Sequence, residues 1–86
     1  MLRITVSESK DAVTFILEGK LRLAWLSELR KAIESATESK RVILDLAALS
    51  FADSAGAHLL ATLERNGVAL RAPSALITAL IAAAAV

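Results

Sequence analysis

The most constraining feature of this chain is the run from Asp45 to Gly56, which reads DLAALSFADSAG. It overlaps an apolar segment, Val42–Leu46, which is interrupted only by Asp45 and suits a strand in the centre of a sheet. After a short loop the run closes with Asp-Ser-Ala-Gly, where apolar residues with helical spacing begin. The run therefore predicts a buried strand, a loop, and a helix that starts at Ser54.

Hydrophobic periodicity divides the rest of the chain into short elements, with alternation typical of strands and a longer spacing typical of helices. The predicted elements are strands at Leu2–Ser7 and Val13–Gly19, a helix from Ala24, the strand Val42–Leu46, a helix over about Ser54–Arg65, a strand at Val68–Arg71 and a last helix from Pro73. The order β-β-α-β-α-β-α predicts an α/β fold, a four-stranded mixed sheet with three helices packed on it.

The helical spacing also predicts which side chains face the core. In the second helix Leu59, Leu60 and Leu63 should point inward. The opposite, exposed stripe should comprise Ser54, His58, Ala61 and Arg65. In the last helix Pro73 should occupy the first turn, and the apolar stripe should comprise Leu76, Ile77, Leu80 and Ile81. The tail Ala82–Val86 should continue this helix or fray.

The size and composition of the chain limit what it can be. Its 86 residues suffice for one small domain, residues 1–86. There is no cysteine and the net charge is +1, so disulfides, thiol chemistry and a basic nucleic-acid surface are not expected. No apolar run approaches the ~20 residues of a membrane span, and no signal peptide is apparent. We expect a cytoplasmic protein without membrane insertion.

Residues capable of catalysis are few. Ser54 and His58 are four residues apart on one helical face, but a nucleophile–base pair needs a third group to orient the base. Asp45 and Asp53 could form a metal or acyl-phosphate pair, but we interpret both as acids that accept backbone N–H groups at turns. No metal-ligand spacing or phosphate-binding loop appears. The sequence predicts no enzyme, no cofactor and no metal.

Ser54 is the residue with the clearest regulatory potential. Serine is among the preferred N-cap residues, so Ser54 is expected to cap the second helix. The first N–H groups of a helix lack internal partners and the helix dipole is positive there, so a phosphate on Ser54 would be stabilised. Capping and phosphorylation are compatible.

The run also resembles the signature of the STAS domain family, Asp-Leu-Ser-x-Val-x-Phe-x-Asp-Ser-Ser-Gly-Leu. The matching positions are Asp45, Leu46, Phe51, Asp53, Ser54 and Gly56. The resemblance implies the STAS fold and places the regulated serine of the anti-sigma-factor antagonists at Ser54. In those proteins the surface around the serine binds an anti-sigma factor with serine kinase activity, and phosphorylation ends the interaction.

Two functions are therefore open. One is a bacterial regulatory module whose partner-binding residues are Asp53, Ser54, Ala57, His58, Ala61 and Arg65. The other is a constitutive STAS subunit of a bacterial lipid-transport ABC complex, which the Asp-Ser-Ala-Gly run and the later Arg71-Ala72-Pro73 also resemble. The chain departs from the antagonist pattern at Ala55 and Ala57-His58, which alters the surface that would bind the kinase.

Overall fold

A computed structural model describes residues 2–37 and 40–85 of the chain. Its elements are the strands β1 (Leu2–Glu8), β2 (Ala12–Leu21), β3 (Arg41–Ala52) and β4 (Ala69–Arg71), and the helices α1 (Leu23–Thr37), α2 (Ser54–Arg65) and α3 (Ala75–Ala84). Their order confirms the predicted β-β-α-β-α-β-α arrangement.

The four strands form one mixed sheet in the order β1-β2-β3-β4. The β1 and β2 strands pair antiparallel as a hairpin, whereas β3 runs parallel to both β2 and β4. Parallel neighbours require a crossover, and α1 and α2 supply the two crossovers. The predicted sheet, with the strand from Val42 to Leu46 in its interior, is confirmed.

The core lies between one face of the sheet and the helices. Alternate residues of the two interior strands are buried, namely Val13, Phe15 and Leu17 on β2 and Val42, Leu44 and Leu46 on β3. The helices cover them with the buried side chains Leu29, Ile33, Leu59, Leu60 and Ile77. Leu63 is half-buried rather than fully inside.

The strand β3 is longer than predicted. The segment expected as a loop after Leu46 continues as strand to Ala52, and β2 continues through Gly19 (φ 98°) to Leu21. The pairing of β2 with β3 shifts register twice, so β3 holds extra residues, and such bulges break the simple alternation that sequence reasoning relies on. The Ser50 hydroxyl donates to the Gly19 carbonyl at 2.8 Å and supports this irregular stretch.

The last helix also begins and packs differently from the prediction. Ser74 caps α3 and its hydroxyl accepts the Ile77 N–H at 3.1 Å, so Pro73 precedes the helix instead of occupying its first turn. Ile77 and Ile81 are buried, but Leu76 is 51% exposed and does not face the core. The alanine tail is helical as far as Ala84, and Val86 lies outside the described residues.

Candidate functional site

Asp53, and not Ser54, caps the second helix. Asp53 has an extended backbone (φ −74°, ψ 179°), and its Oδ1 accepts the Gly56 N–H at 2.8 Å. Its carbonyl accepts the first helical hydrogen bond, from Ala57, at 2.8 Å. An N-cap residue has a non-helical backbone, whereas Ser54 is already the first helical residue. The expectation that Ser54 is the N-cap is therefore wrong.

The second oxygen of Asp53 reaches the first helix. Its Oδ2 accepts the N–H of Leu23, the first residue of α1, at 2.9 Å. The backbone N–H of Asp53 donates to the Leu21 carbonyl at 3.0 Å. The Asp53 carboxylate thus joins the starts of two helices, and the Asp53 backbone N–H links this junction to the end of β2. This confirms the interpretation of Asp53 as an acid that accepts backbone N–H groups.

These contacts stabilise the charged form of Asp53. The hydrogen bonds from Gly56 and Leu23 lower the pKa of the carboxyl group, partial desolvation opposes them, and the cationic Arg22 adds a smaller lowering. An ionised carboxylate offers both oxygens as hydrogen-bond acceptors, and these bonds are stronger when the acceptor is charged. The junction of the two helices therefore stabilises the ionised form of Asp53, and the ionised form strengthens the junction.

Gly56 allows α2 to approach the end of β2 closely. A Cβ atom at this position would lie 2.7 Å from the Leu21 carbonyl oxygen and 3.1 Å from Leu21 Cγ. A separation of 2.7 Å is closer than real Cβ atoms come to other heavy atoms. The glycine of Asp-Ser-Ala-Gly is therefore required by packing, and it brings the start of α2 against the sheet.

Ser54 is exposed at this junction. Among the residues that the structure describes, no group forms a hydrogen bond with its Oγ. Because Asp53 already satisfies the helix start, the Ser54 hydroxyl carries no structural role within this part of the chain. It is chemically available at the positive end of a helix.

The remaining predicted partner-binding residues divide into two groups. His58 and Arg65 are exposed. Ala57 and Ala61 are buried, each with 3% of its surface exposed, so the expectation that Ala61 lies on the exposed stripe is wrong. Both alanines face the core because the buried side of α2 is broader than its leucines alone indicate.

Arg65 lies far from the helix start. It is eleven positions after Ser54, which is about 16 Å along a helix. Its guanidinium contacts the Thr62 hydroxyl at 3.4 Å, and that hydroxyl donates to the His58 carbonyl at 2.9 Å. Arg65 is therefore held at the opposite end of α2. Of the two exposed residues His58 and Arg65, His58 lies about one turn from Ser54.

Sequence reasoning missed two of the three exposed residues next to Asp53. Leu23 is 69% exposed and Phe51 is 37% exposed, and the exposed Arg22 acts on the Asp53 carboxylate. Phe51 belongs to the matched signature, but Arg22 and Leu23 are thirty residues upstream of Asp53, and only the fold brings them there. The surface at this end of the molecule is accordingly more apolar than the α2 stripe.

Asp45 and Asp53 do not form a pair. They are eight positions apart along mostly extended chain, a distance on the order of 20–25 Å. Asp45 accepts the Ala47 N–H at 3.0 Å and lies 3.9 Å from the Arg71 guanidinium on β4. It lies within β3 rather than at the end of a strand, and the described residues contain no group of three or more potential metal ligands.

Two further findings bear on the identity of the chain. No helix among the described residues is long and apolar enough to cross a membrane. No curated protein matches the sequence. The family model of the STAS domain, however, matches residues 3–76, which is most of the chain. With its mixed sheet, its three helices and the Asp53–Gly56 turn at the start of α2, this chain belongs to the STAS domain family.

Proposed function

We propose that this STAS domain is a non-enzymatic protein-binding module, similar to the anti-sigma-factor antagonists, and that phosphorylation of Ser54 switches its binding. The observation that carries the proposal is that two neighbouring residues, Asp53 and Ser54, have different roles at the start of α2. Asp53 caps α2, and Ser54 is exposed with its hydroxyl unused in the described part of the chain. A kinase could modify this hydroxyl without breaking any contact that holds the fold together.

The charge of a phosphate supplies the switch. A phosphoserine carries roughly −1.5 to −2 charges at neutral pH. Here it would meet the positive end of α2, with Arg22 near Asp53 and the His58 imidazole one turn along the helix. The fold tolerates such a charge, whereas a partner surface fitted to a neutral hydroxyl loses affinity through desolvation and repulsion.

The proposed contact surface is defined by Asp53, Ser54 and His58 together with the exposed Leu23 and Phe51. A few well-packed side chains near the centre of an interface supply most of its affinity. Ala57 and Ala61 contribute by packing under this surface rather than by direct contact. The proposed partner is an anti-sigma factor with serine kinase activity in the bacterial cytoplasm, and the chain acts as a single domain.

The test combines phosphorylation with binding. The protein is incubated with a candidate anti-sigma kinase and ATP, and intact mass and affinity are then measured for the wild type, Ser54→Ala and Ser54→Asp. We expect a single phosphate on the wild type, none on Ser54→Ala, and at least about tenfold weaker binding of Ser54→Asp.

Thr78→Asp is the matched control, because it adds the same charge at an exposed position on another helix. It should leave the affinity unchanged. The absence of phosphate at Ser54, together with an unchanged affinity of Ser54→Asp, would contradict the switch.

One observation favours the second candidate, a constitutive subunit of a bacterial lipid-transport ABC complex. The solvent side of α3 has no charged residue and presents Ala75, Leu76, Ala79 and Ala83. Thr78 is the one polar side chain of α3, and a helix that is apolar on nearly all sides is usually covered by other protein. In that case the chain would copurify with an ABC ATPase, Leu76→Glu would break the complex, and Ser54→Asp would not.

A further inference from the structure

The two edges of the sheet differ in how well they are protected. The β4 edge is three residues long, contains Arg71 and is soon followed by Pro73. The β1 edge is seven residues long and pairs with β2 without irregularity. Its charged residues, Arg3 and Glu8, lie near its two ends. A regular edge strand whose middle residues are uncharged leaves a row of backbone N–H and C=O groups able to pair with another strand.

Among residues 2–37 and 40–85, the helices leave this edge open. Val6, on the helix-facing side of β1, is 53% exposed. Beside it lies a cavity of about 300 Å³ between the hairpin and α1, lined by Val6, Val13, Phe15, Ala32 and Ala36. The Lys40 ammonium lies 3.7 Å from the Glu8 carboxylate at its rim. A further strand could therefore approach β1 without meeting a helix, and its side chains would cover apolar surface.

We propose that β1 pairs antiparallel with β1 of a second copy of this chain, with the two-fold axis beside Thr5. In this register Thr5 faces Thr5 of the other copy, Ile4 faces Val6, Arg3 faces Ser7 and Leu2 faces Glu8. Every residue of Leu2–Glu8 is paired. Ile4 and Val6 both lie on the helix-facing side, opposite Leu17 and Phe15 of β2, so apolar residues meet apolar residues across the axis.

The charges and the alternation of side chains favour this arrangement over others. The antiparallel pair places Arg3 opposite the neutral Ser7 and Glu8 opposite Leu2, whereas a parallel pair in register would place Arg3 beside Arg3 and Glu8 beside Glu8. A shift by one residue would set Thr5 opposite Val6 and mismatch the two faces of the sheet. A shift by two residues would leave four residues unpaired in total and bring Glu8 or Arg3 toward the middle. The strand is thus complementary to itself.

The resulting dimer has a continuous eight-stranded sheet. Its two-fold axis is perpendicular to the sheet, so the helices of both copies lie on the same side. Because the two β3 strands then run in opposite directions, the Ser54 residues that follow them lie at opposite ends of the assembly. Both Ser54 surfaces stay accessible, so the dimer is bivalent whatever binds there. The proposal does not depend on the proposed role of Ser54.

The dimer should be weak and concentration-dependent. A seven-residue strand is about 23 Å long. Pairing such strands, even with the added cover over Val6, buries less than the ~1,200 Å² typical of stable complexes. We therefore expect a dissociation constant on the order of micromolar or weaker.

Sedimentation velocity over a concentration series tests the proposal with the wild type, Thr5→Lys, Thr5→Glu and an equimolar mixture of the two variants. Thr5 is exposed, so both substitutions are compatible with the fold. Each variant alone places like charges opposite each other at the axis, and its dissociation constant should rise by roughly fivefold. The mixture places opposite charges there and should recover wild-type affinity or better, which a folding defect could not produce.

Two control variants separate the β1 edge from other surfaces. Thr14→Lys adds a charge to the open face of the sheet on an interior strand, and Leu76→Glu adds one to the exposed side of α3. Both should dimerise like the wild type. The proposal is overturned if the wild type is monomeric at the highest concentration that stays soluble. It is equally overturned if the mixture fails to recover the dimer, or if a control variant weakens it as much as Thr5→Lys does.

Discussion

The helices α2 and α3 both begin with a side-chain N-cap, but the cap of α2 also contacts a second helix. Asp53 and Ser74 both have extended backbones, and each side chain accepts the N–H three residues later, at 2.8 Å and 3.1 Å. Within the described residues, the Ser74 hydroxyl makes only this local hydrogen bond. Asp53 uses its second oxygen to hold the start of α1. A carboxylate at a helix start can therefore organise tertiary structure, which a hydroxyl at the equivalent position does not do here.

Gly56→Ala should produce the largest effect at the α2 junction. Alanine favours a helix over glycine by about 1 kcal/mol. The new Cβ would nevertheless lie 2.7 Å from the Leu21 backbone oxygen, which cannot rotate away. We expect the clash to prevail and the free energy of unfolding to fall by about 2–3 kcal/mol, measured by urea denaturation. The equivalent position of α3 holds the buried Ile77, so the close approach is specific to α2. An increase in stability would show that α2 can shift away from β2 and relieve the clash with the Leu21 carbonyl oxygen.

Asp53→Ala should cost more than Ser74→Ala. Loss of a cap costs about 0.5–2 kcal/mol, typically ~1, and this applies to both variants. Asp53→Ala also removes the hydrogen bond to Leu23, worth about 0.5–1.5 kcal/mol. The difference between the two variants in urea midpoint therefore measures the contact between α1 and α2. Equal losses would mean that the bond to Leu23 contributes nothing.

The sequence predicted the elements and their order but not this contact. The periodic segments around Leu29, Leu44 and Leu60 were sufficient to predict the helices, the interior strand and the confirmed fold, because burial imposes those periods. The capping residue was wrong because aspartate and serine are both good N-caps, and only the backbone angles of Asp53 and Ser54 separate them. The register shifts beside Gly19 and the exposure of Leu23 depend on pairing between distant segments, which no local pattern encodes.

The two caps should also differ in their response to pH. The pKa of Asp53 is lowered from 3.8 in the folded protein, chiefly by the hydrogen bonds from Gly56 and Leu23. The stability that Asp53 contributes is therefore fully present at a pH above the pKa of Asp53 in the unfolded chain. It is lost as the pH falls through the lower pKa of Asp53 in the folded protein. Between pH 7 and about pH 3, Asp53→Asn should lose less stability than the wild type, whereas Ser74→Ala should lose as much. Parallel losses in all three proteins would contradict a charged cap at Asp53.

Ser54→Ala should change the free energy of unfolding least, although Ser54 lies next to Asp53, where substitution by alanine should have a large effect. The Ser54 side chain is exposed, and within residues 2–37 and 40–85 its hydroxyl has no hydrogen-bond partner. Asp53 already accepts the Gly56 N–H that a serine cap would have taken. Exposed substitutions of this kind usually change stability by less than about 0.5 kcal/mol. The urea midpoint of Ser54→Ala should therefore equal that of the wild type, while Asp53→Ala in the same titration shifts clearly. A loss of about 1 kcal/mol or more would show that the hydroxyl supports the helix after all. Phosphorylation would then compete with folding at this position, and a switch that leaves the fold intact would lose its physical basis.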